Sequence, residues 1–174
     1  HTRWASAGEI SLANVHPHDG SVQPSDPGYA EMRTLCAING DVDNYVELTR
    51  DWSDRAMRSL PDGVTTDAKI LPVLIEQEML FDGDIDRAVE RAVAKVEGSM
   101  AAVVLRADMP GTMWCVSRGA GQALYLGSAG GTVMAASEVH GLVEVTNGYT
   151  PLRDAAGDGE GRIVRFDKIG RAHV

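Results

Sequence analysis

The chain has 174 residues, of which 44% are hydrophobic and 24% charged, enough for one domain around a single buried core. Its net charge of -9 gives a negative field that repels nucleic acids and anionic membranes, so neither is expected as a partner. The longest apolar stretches, such as Met100 to Leu105, are far shorter than the about 20 residues of a membrane-spanning helix. Cys36 and Cys115 lie far apart without CxxC spacing, which favours a reducing, cytoplasmic location over a disulfide framework or a zinc site.

The first half of the chain reads as a loop followed by a strand and helices. Residues 14–29 are rich in Pro, Asp, Ser and Gly, which indicates a long loop on the surface or over a site. Leu35 to Ile38 is a short apolar strand, and a helix with Tyr45 and Trp52 on one face follows it. Two further helices are predicted, one capped by Thr65 or Thr66 and restricted by Pro72, the other opened by Asp84 and closed by Gly98.

The second half reads as short β-strands separated by Gly-rich and Pro-rich turns. These runs predict an antiparallel meander, with a last strand after the Gly-rich turn at residues 154–161. The predicted strands are Met100 to Leu105, Thr112 to Ser117, Ala123 to Leu126, Thr132 to Ala136 and Arg162 to Phe166. Helices first and strands afterwards predict an α+β fold with helices packed on an antiparallel sheet.

Both ends of the chain are expected to be non-native boundaries. The sequence begins at His1 without an initiator Met, directly in a dense run of polar and aromatic residues. We therefore expect the true start to lie upstream, with a processed N-terminus as the alternative. Lys168 to Val174 reads KIGRAHV, which resembles a translated oligonucleotide adapter. We therefore expect the domain to span residues 1–167 and residues 168–174 to be a non-native tail outside the fold.

Three short motifs contain residues suited to binding or catalysis. Arg3 is either a surface residue stacked on Trp4 or a bidentate ligand for a carboxylate. Asn39-Gly40 is either a type I′ hairpin turn or an oxyanion hole, in which the Asn amide and a backbone N–H stabilise a tetrahedral intermediate. Asp67 is either an ordinary first-turn acid or a ligand for an ammonium group.

Two other groupings give weaker signals. His16-Pro17-His18 offers two imidazoles without a third ligand at a familiar spacing, so these are interpreted as loop residues and no metal is expected. Ser137, Glu138 and His140 are too close in sequence to form a catalytic triad easily.

Taken in order, several segments resemble the class II glutamine amidotransferases, and most of all the glutaminase domains of glutamine:fructose-6-phosphate aminotransferases. The resemblance covers nearly all of residues 1–167. The segments that carry it are His1 to Ser6, Asn14 to His18, Asn39 to Tyr45, Thr65 to Asp67, Glu97 to Met100 and Ala136 to Glu138.

The resemblance implies an N-terminal nucleophile hydrolase fold, an αββα sandwich that is incomplete in this chain at its N-terminus. A Cys at the mature N-terminus would attack the side-chain amide of L-glutamine, with its own α-amino group as the base. The resemblance assigns the remaining roles as follows: Arg3 binds the α-carboxylate, Asp67 the α-ammonium, Asn39 and Gly40 stabilise the oxyanion, Trp4 borders the ammonia path and Ser6 helps hold the substrate.

No cofactor is implied, and ammonia would pass to sugar-isomerase domains downstream, through which the parent protein could form a homodimer. Neither Cys36 nor Cys115 can replace the nucleophile, so we expect no turnover from this chain itself. Ser6, Ala7 and the Ala37-Ile38 pair depart from the familiar motifs. An amidophosphoribosyltransferase-type domain and an inert glutamine-binding relative remain open as alternatives.

Overall fold

The computed structural model describes residues 7–21, 34–153 and 161–167, together with the backbone of residues 171–173. The described residues contain three α-helices: α1 (Tyr45–Ala56), α2 (Ile70–Asp82) and α3 (Ile85–Lys95). The described strands are β1 (His18–Asp19), β2 (Thr34–Val42), β3 (Gly98–Arg106), β4 (Met113–Arg118), β5 (Leu124–Ala129), β6 (Thr132–Ala136), β7 (Tyr149–Leu152), β8 (Arg162–Asp167) and β9 (Arg171–His173).

The strands form two antiparallel sheets. The larger has the order β1-β2-β3-β4-β8-β9, and the smaller has the order β6-β5-β7. The α+β class and the antiparallel pairing are confirmed, but the expected single meander is wrong. After β4 the chain leaves the larger sheet, builds the smaller one, and returns as β8, which pairs with β4 through Cys115 and Val164.

Alternating side chains of the larger sheet serve two separate cores, as the two-residue period of a strand requires. On one face Met100 and Val104 pack with the three helices. On the other face Ala101 and Cys115 pack with Leu126 and its neighbours from the smaller sheet. The larger sheet is therefore covered by helices on one side and by a second sheet on the other.

The third helix is confirmed in position and cap. The Asp84 side chain accepts a hydrogen bond from the Arg87 N–H at 3.2 Å, and the helix has buried residues at the predicted spacing. Its end differs from the prediction. The helix stops at Lys95, and Gly98 is instead the first residue of β3 with φ +118°, where it accommodates the close approach of the Asp41 carbonyl.

Three of the described strands were not predicted. β1 has only two residues within the polar loop, and β7 contains Pro151, which weakens a strand signal. β9 pairs with β8 through Arg171 and Asp167, so part of the segment expected to lie outside the fold extends the larger sheet. Its non-native origin stays a prediction.

Two residues on the same helix, α2, test how the core stabilises the fold. Ile75 is 0% exposed and Leu80 is 86% exposed. We expect Ile75→Ala to lower the free energy of unfolding by about 2–5 kcal/mol, because it removes buried methyl groups and leaves a cavity. Leu80→Ala should change it by less than about 0.5 kcal/mol. Urea denaturation measures both; equal effects would contradict the burial of Ile75.

Candidate functional site

Asn39 and Gly40 lie inside strand β2, where they pair with Ala101 and Met100 of β3. The hairpin-turn alternative is therefore wrong, because the register continues unbroken from Thr34 to Val42. The Asn39 side chain is exposed, on the face of β2 opposite the buried Ile38.

Gly40 has a backbone conformation that favours glycine. Its φ is +131°, a region that L side chains rarely adopt. A Cβ at this position would lie 2.1 Å from the Ser99 carbonyl oxygen and 2.9 Å from Cγ of Gln122. Glycine is required here because the backbone of the neighbouring strand β3 leaves no room for a side chain.

Asp67 is buried and hydrogen-bonded to the same strand. It opens a short 3₁₀ helix, Asp67–Lys69, that continues into α2, and Thr66 caps this turn by accepting from the Ala68 N–H. The Asp67 Oδ2 atom accepts a hydrogen bond from the Val42 backbone N–H at 2.8 Å. The start of the helix is thus fixed two residues beyond Gly40 along β2, and the predicted capping role of Thr66 is confirmed.

Among the described residues, one edge of β2 is open beyond the short partner β1, which pairs only with Leu35 and Cys36. On this edge the Ile38 N–H donates to Nδ1 of His16 at 3.3 Å, and the Val42 N–H donates to Asp67. Gly40 lies between these two residues, two positions from each along β2. Because amides alternate between the two edges of an antiparallel strand, the Gly40 N–H is directed to this open edge as well.

Asn14 holds the first loop against the segment that precedes Asp67. Its Oδ1 accepts from the Thr65 N–H at 2.9 Å and from the Thr66 N–H at 3.2 Å. Its Nδ2 donates to Thr65 Oγ1 at 2.9 Å and to the Glu9 carbonyl at 3.0 Å. This fully buried amide therefore positions the capping residues, a role that sequence reasoning missed although Asn14 belongs to one of the resembling segments.

Lys69 fixes a second stretch of the same loop. The Nζ atom donates to the Asp19 carbonyl at 2.8 Å, to the Asp19 carboxylate at 3.2 Å and to the Ser21 carbonyl at 2.7 Å. These three residues also line a cavity of about 560 Å³. A lysine with all three donors used by the protein acts as a structural anchor.

Three of the predicted site residues, Arg3, Trp4 and Ser6, lie outside the described residues, so their placement beside Asn39 and Asp67 stays a prediction. The described His, Cys, Asp and Glu side chains form no group of three that could hold a metal ion. None of the helices in the described ranges is both long and apolar enough to cross a bilayer.

The two cysteines lie in different cores. Burial raises the pKa of the Cys115 thiol to about 12. Burial, aided by the charge of Glu76, raises the pKa of the Cys36 thiol still further above its ordinary value. Both side chains are thus protonated, inert thiols at neutral pH.

Comparison with curated proteins gives consistent relatives over most of the chain, although no family model matches. A glutamine–fructose-6-phosphate aminotransferase (isomerizing) of Thermotoga maritima is 31% identical over 96% of this chain and 24% of its own length. The protein of the same name from Clostridium tetani is 31% identical over 88% of this chain and 23% of its own length. The chain spans about a quarter of these relatives.

Comparison with solved structures concerns the fold. A glutamine phosphoribosylpyrophosphate amidotransferase from B. subtilis, complexed with ADP and GMP, superposes with a TM-score of 0.71 at 17% identity, over 99% of this chain and 33% of that one. A glutamine aminotransferase class-II domain protein from Silicibacter pomeroyi gives a TM-score of 0.55 at 20% identity, covering 82% of this chain and 66% of that one.

The sequence relatives, the solved structures and the order of the motifs agree. Within the described residues, two facing antiparallel sheets with helices on the larger one correspond to three of the four layers of the implied αββα sandwich, and Asp67 is hydrogen-bonded to the strand that contains Asn39-Gly40. The chain therefore belongs to the class II glutamine amidotransferases and has the fold of the N-terminal nucleophile hydrolases.

Proposed function

We propose that the chain is the glutaminase part of a glutamine-dependent aminotransferase, which releases ammonia from L-glutamine and delivers it to fructose 6-phosphate to make glucosamine 6-phosphate. The names of its sequence relatives support this acceptor. Because the chain spans about a quarter of those relatives, the sugar-isomerase domains, a homodimer formed through them and a cytoplasmic location all belong to the proposal.

The observation that carries the proposal is the hydrogen bond between Asp67 and the backbone of Val42. It places a buried carboxylate two residues from Gly40, a distance of about 7 Å along an extended strand. The α-nitrogen and the side-chain amide carbon of glutamine are four bonds apart, about 5 Å. Asp67 can thus bind the ammonium group while Asn39 and Gly40 reach the amide oxygen.

The Asp67 carboxylate retains capacity for a ligand. A carboxylate offers about four acceptor positions, and this one accepts a bond from the Val42 N–H and a longer one, at 3.4 Å, from the Thr66 hydroxyl. A substrate ammonium can use the others. Burial of the carboxylate makes such a charge-assisted bond stronger than it would be in water.

Asn39 and Gly40 are suited to stabilise the oxyanion of the reaction. Attack of a thiolate on the amide carbon of glutamine would place negative charge on its oxygen, and collapse of this intermediate would release ammonia and leave a thioester for water to hydrolyse to glutamate. The exposed Asn39 amide and the edge-directed Gly40 N–H are the proposed donors. Arg3 would bind the α-carboxylate, with Trp4 and Ser6 beside the substrate.

A phosphoribosyl acceptor is the second candidate. The structural likeness to the B. subtilis phosphoribosylpyrophosphate amidotransferase extends over 99% of the chain and supports a shared glutaminase fold. The more similar sequence relatives favour the sugar-phosphate acceptor. Assay of the full-length protein with fructose 6-phosphate and, separately, with phosphoribosylpyrophosphate distinguishes the two.

Asp67→Asn tests the ammonium site. The Asn side chain can still accept from the Val42 N–H, so the fold should persist, whereas loss of the charge removes an interaction of about 1.5–3 kcal/mol. We expect kcat/KM for glutamate release by the full-length protein to fall about ten- to a hundredfold. The matched control is Asp62→Asn, which neutralises an exposed carboxylate. An equal response to both variants would contradict the assignment.

Asn39→Ala tests the oxyanion donor. Removal of one such donor lowers kcat by about 10²–10³-fold, with little change in the affinity for glutamine. Because Asn39 is exposed, the melting temperature should hardly change. Asn147→Ala, at another exposed asparagine, is the control. A normal kcat for Asn39→Ala would exclude the role.

The reactivity of the two thiols tests whether Cys36 and Cys115 are buried in the folded protein. With the pKa of Cys115 raised to about 12 and that of Cys36 raised by burial, both remain protonated at a pH of about 8. We expect labelling of these two residues by a disulfide reagent only when the protein is unfolded in denaturant, as mapped by peptide mass spectrometry. Rapid labelling of either residue in the folded protein would contradict its burial.

A further inference from the structure

Gln122 lies against the glycine of the proposed oxyanion hole. It follows β4 in the loop before β5 and is half-buried. Its Cγ is 2.9 Å from the place where any other residue at position 40 would carry its Cβ. The side chain of Gln122 therefore occupies the space that the absent Gly40 side chain leaves free, and its carboxamide begins one bond further along.

The loop that carries Gln122 is fixed to the strand beside Gly40. The Ser99 hydroxyl accepts a hydrogen bond from the Gly121 N–H at 2.7 Å and donates to the Arg118 carbonyl at 3.4 Å. Ser99 itself pairs with Asp41 on β2. The backbone before Gln122 is thus held by a residue of the neighbouring strand, directly next to the candidate site.

The Gln122 carboxamide is not used by the described part of the fold. Within the described ranges, neither it nor the Asn39 carboxamide has a hydrogen-bond partner. The stem of Gln122 therefore packs beside Gly40 on its β3 side, and the Gln122 carboxamide is available to a ligand as far as the described residues go. A half-buried amide group gains most from a ligand that supplies both a donor and an acceptor, because each of its own polar atoms is then satisfied.

We propose that Gln122 is a specificity-determining residue that recognises the side-chain carboxamide of the substrate, an inference that rests on the proposed glutaminase function. One amide can pair with another by donating to its oxygen and accepting from its NH₂ group. Glutamate, the product, offers a carboxylate that only accepts. Gln122 therefore favours glutamine over glutamate, while Asn39 and Gly40 act on the oxyanion.

Gln122→Met in the full-length protein tests this role. Met keeps an unbranched stem over Gly40 and removes the amide, so the melting temperature should be retained. We expect kcat/KM for glutamine to fall about three- to tenfold, as for loss of one or two neutral hydrogen bonds, and the inhibition constant of glutamate to change by a smaller factor, because its carboxylate can use only the NH₂ donor of Gln122. The control is Gln77→Met, at a half-buried glutamine of α2.

Three results would overturn the proposal. Unchanged kcat/KM and discrimination in Gln122→Met, with a functional wild type, would reject the role of Gln122 alone. Parallel losses for glutamine and glutamate with a lowered melting temperature would show a structural role. Absence of glutamate release and of glutamine binding in the wild-type protein would reject the proposed function and this inference together.

Discussion

The arrangement of the site depends on one hydrogen bond, from the Val42 backbone to the Asp67 carboxylate. Val42 ends β2, and Asp67 begins the helical segment that leads into α2, so the bond joins the end of a sheet strand to the first turn of the helix layer. A carboxylate in this position is stabilised by the helix start and by a strand amide that β1 is too short to satisfy. The Asp67 carboxylate thus satisfies the N–H group of Val42 and lies two residues along β2 from Gly40.

The open edge of β2 is the second constraint. A longer β1 would pair with the amides beyond Cys36 and occupy the surface on which the substrate is proposed to bind. His16 and Asp67 instead satisfy the N–H groups of Ile38 and Val42 on either side, and the half-buried Gly40 lies between them. Within the described residues, the early end of the pairing with β1 leaves this edge free for the proposed substrate.

Prediction from sequence succeeded where the local pattern and the packing agree, as in α3, whose apolar spacing and Asp84 cap are both reproduced. It failed where distant residues decide. Asn39-Gly40 has the local chemistry of a hairpin turn, yet pairing with β3 keeps it extended. The return of β8 to β4 has no local signal, and Gln122 is polar, isolated and outside every resembling segment. Such a residue is found only when its proximity to Gly40 is known.

The short helix that carries Asp67 and Lys69 fixes the length of the chain between its two contacts. Asp67 bonds to β2, whereas Lys69 bonds to the loop at Asp19. A 3₁₀ helix turns by about 120° per residue, so one added residue between them would direct one of the two side chains away from its partner. An insertion in this segment would therefore break one of the two contacts, whereas an insertion at the Gly130-Gly131 turn, where added side chains would meet open space, would not.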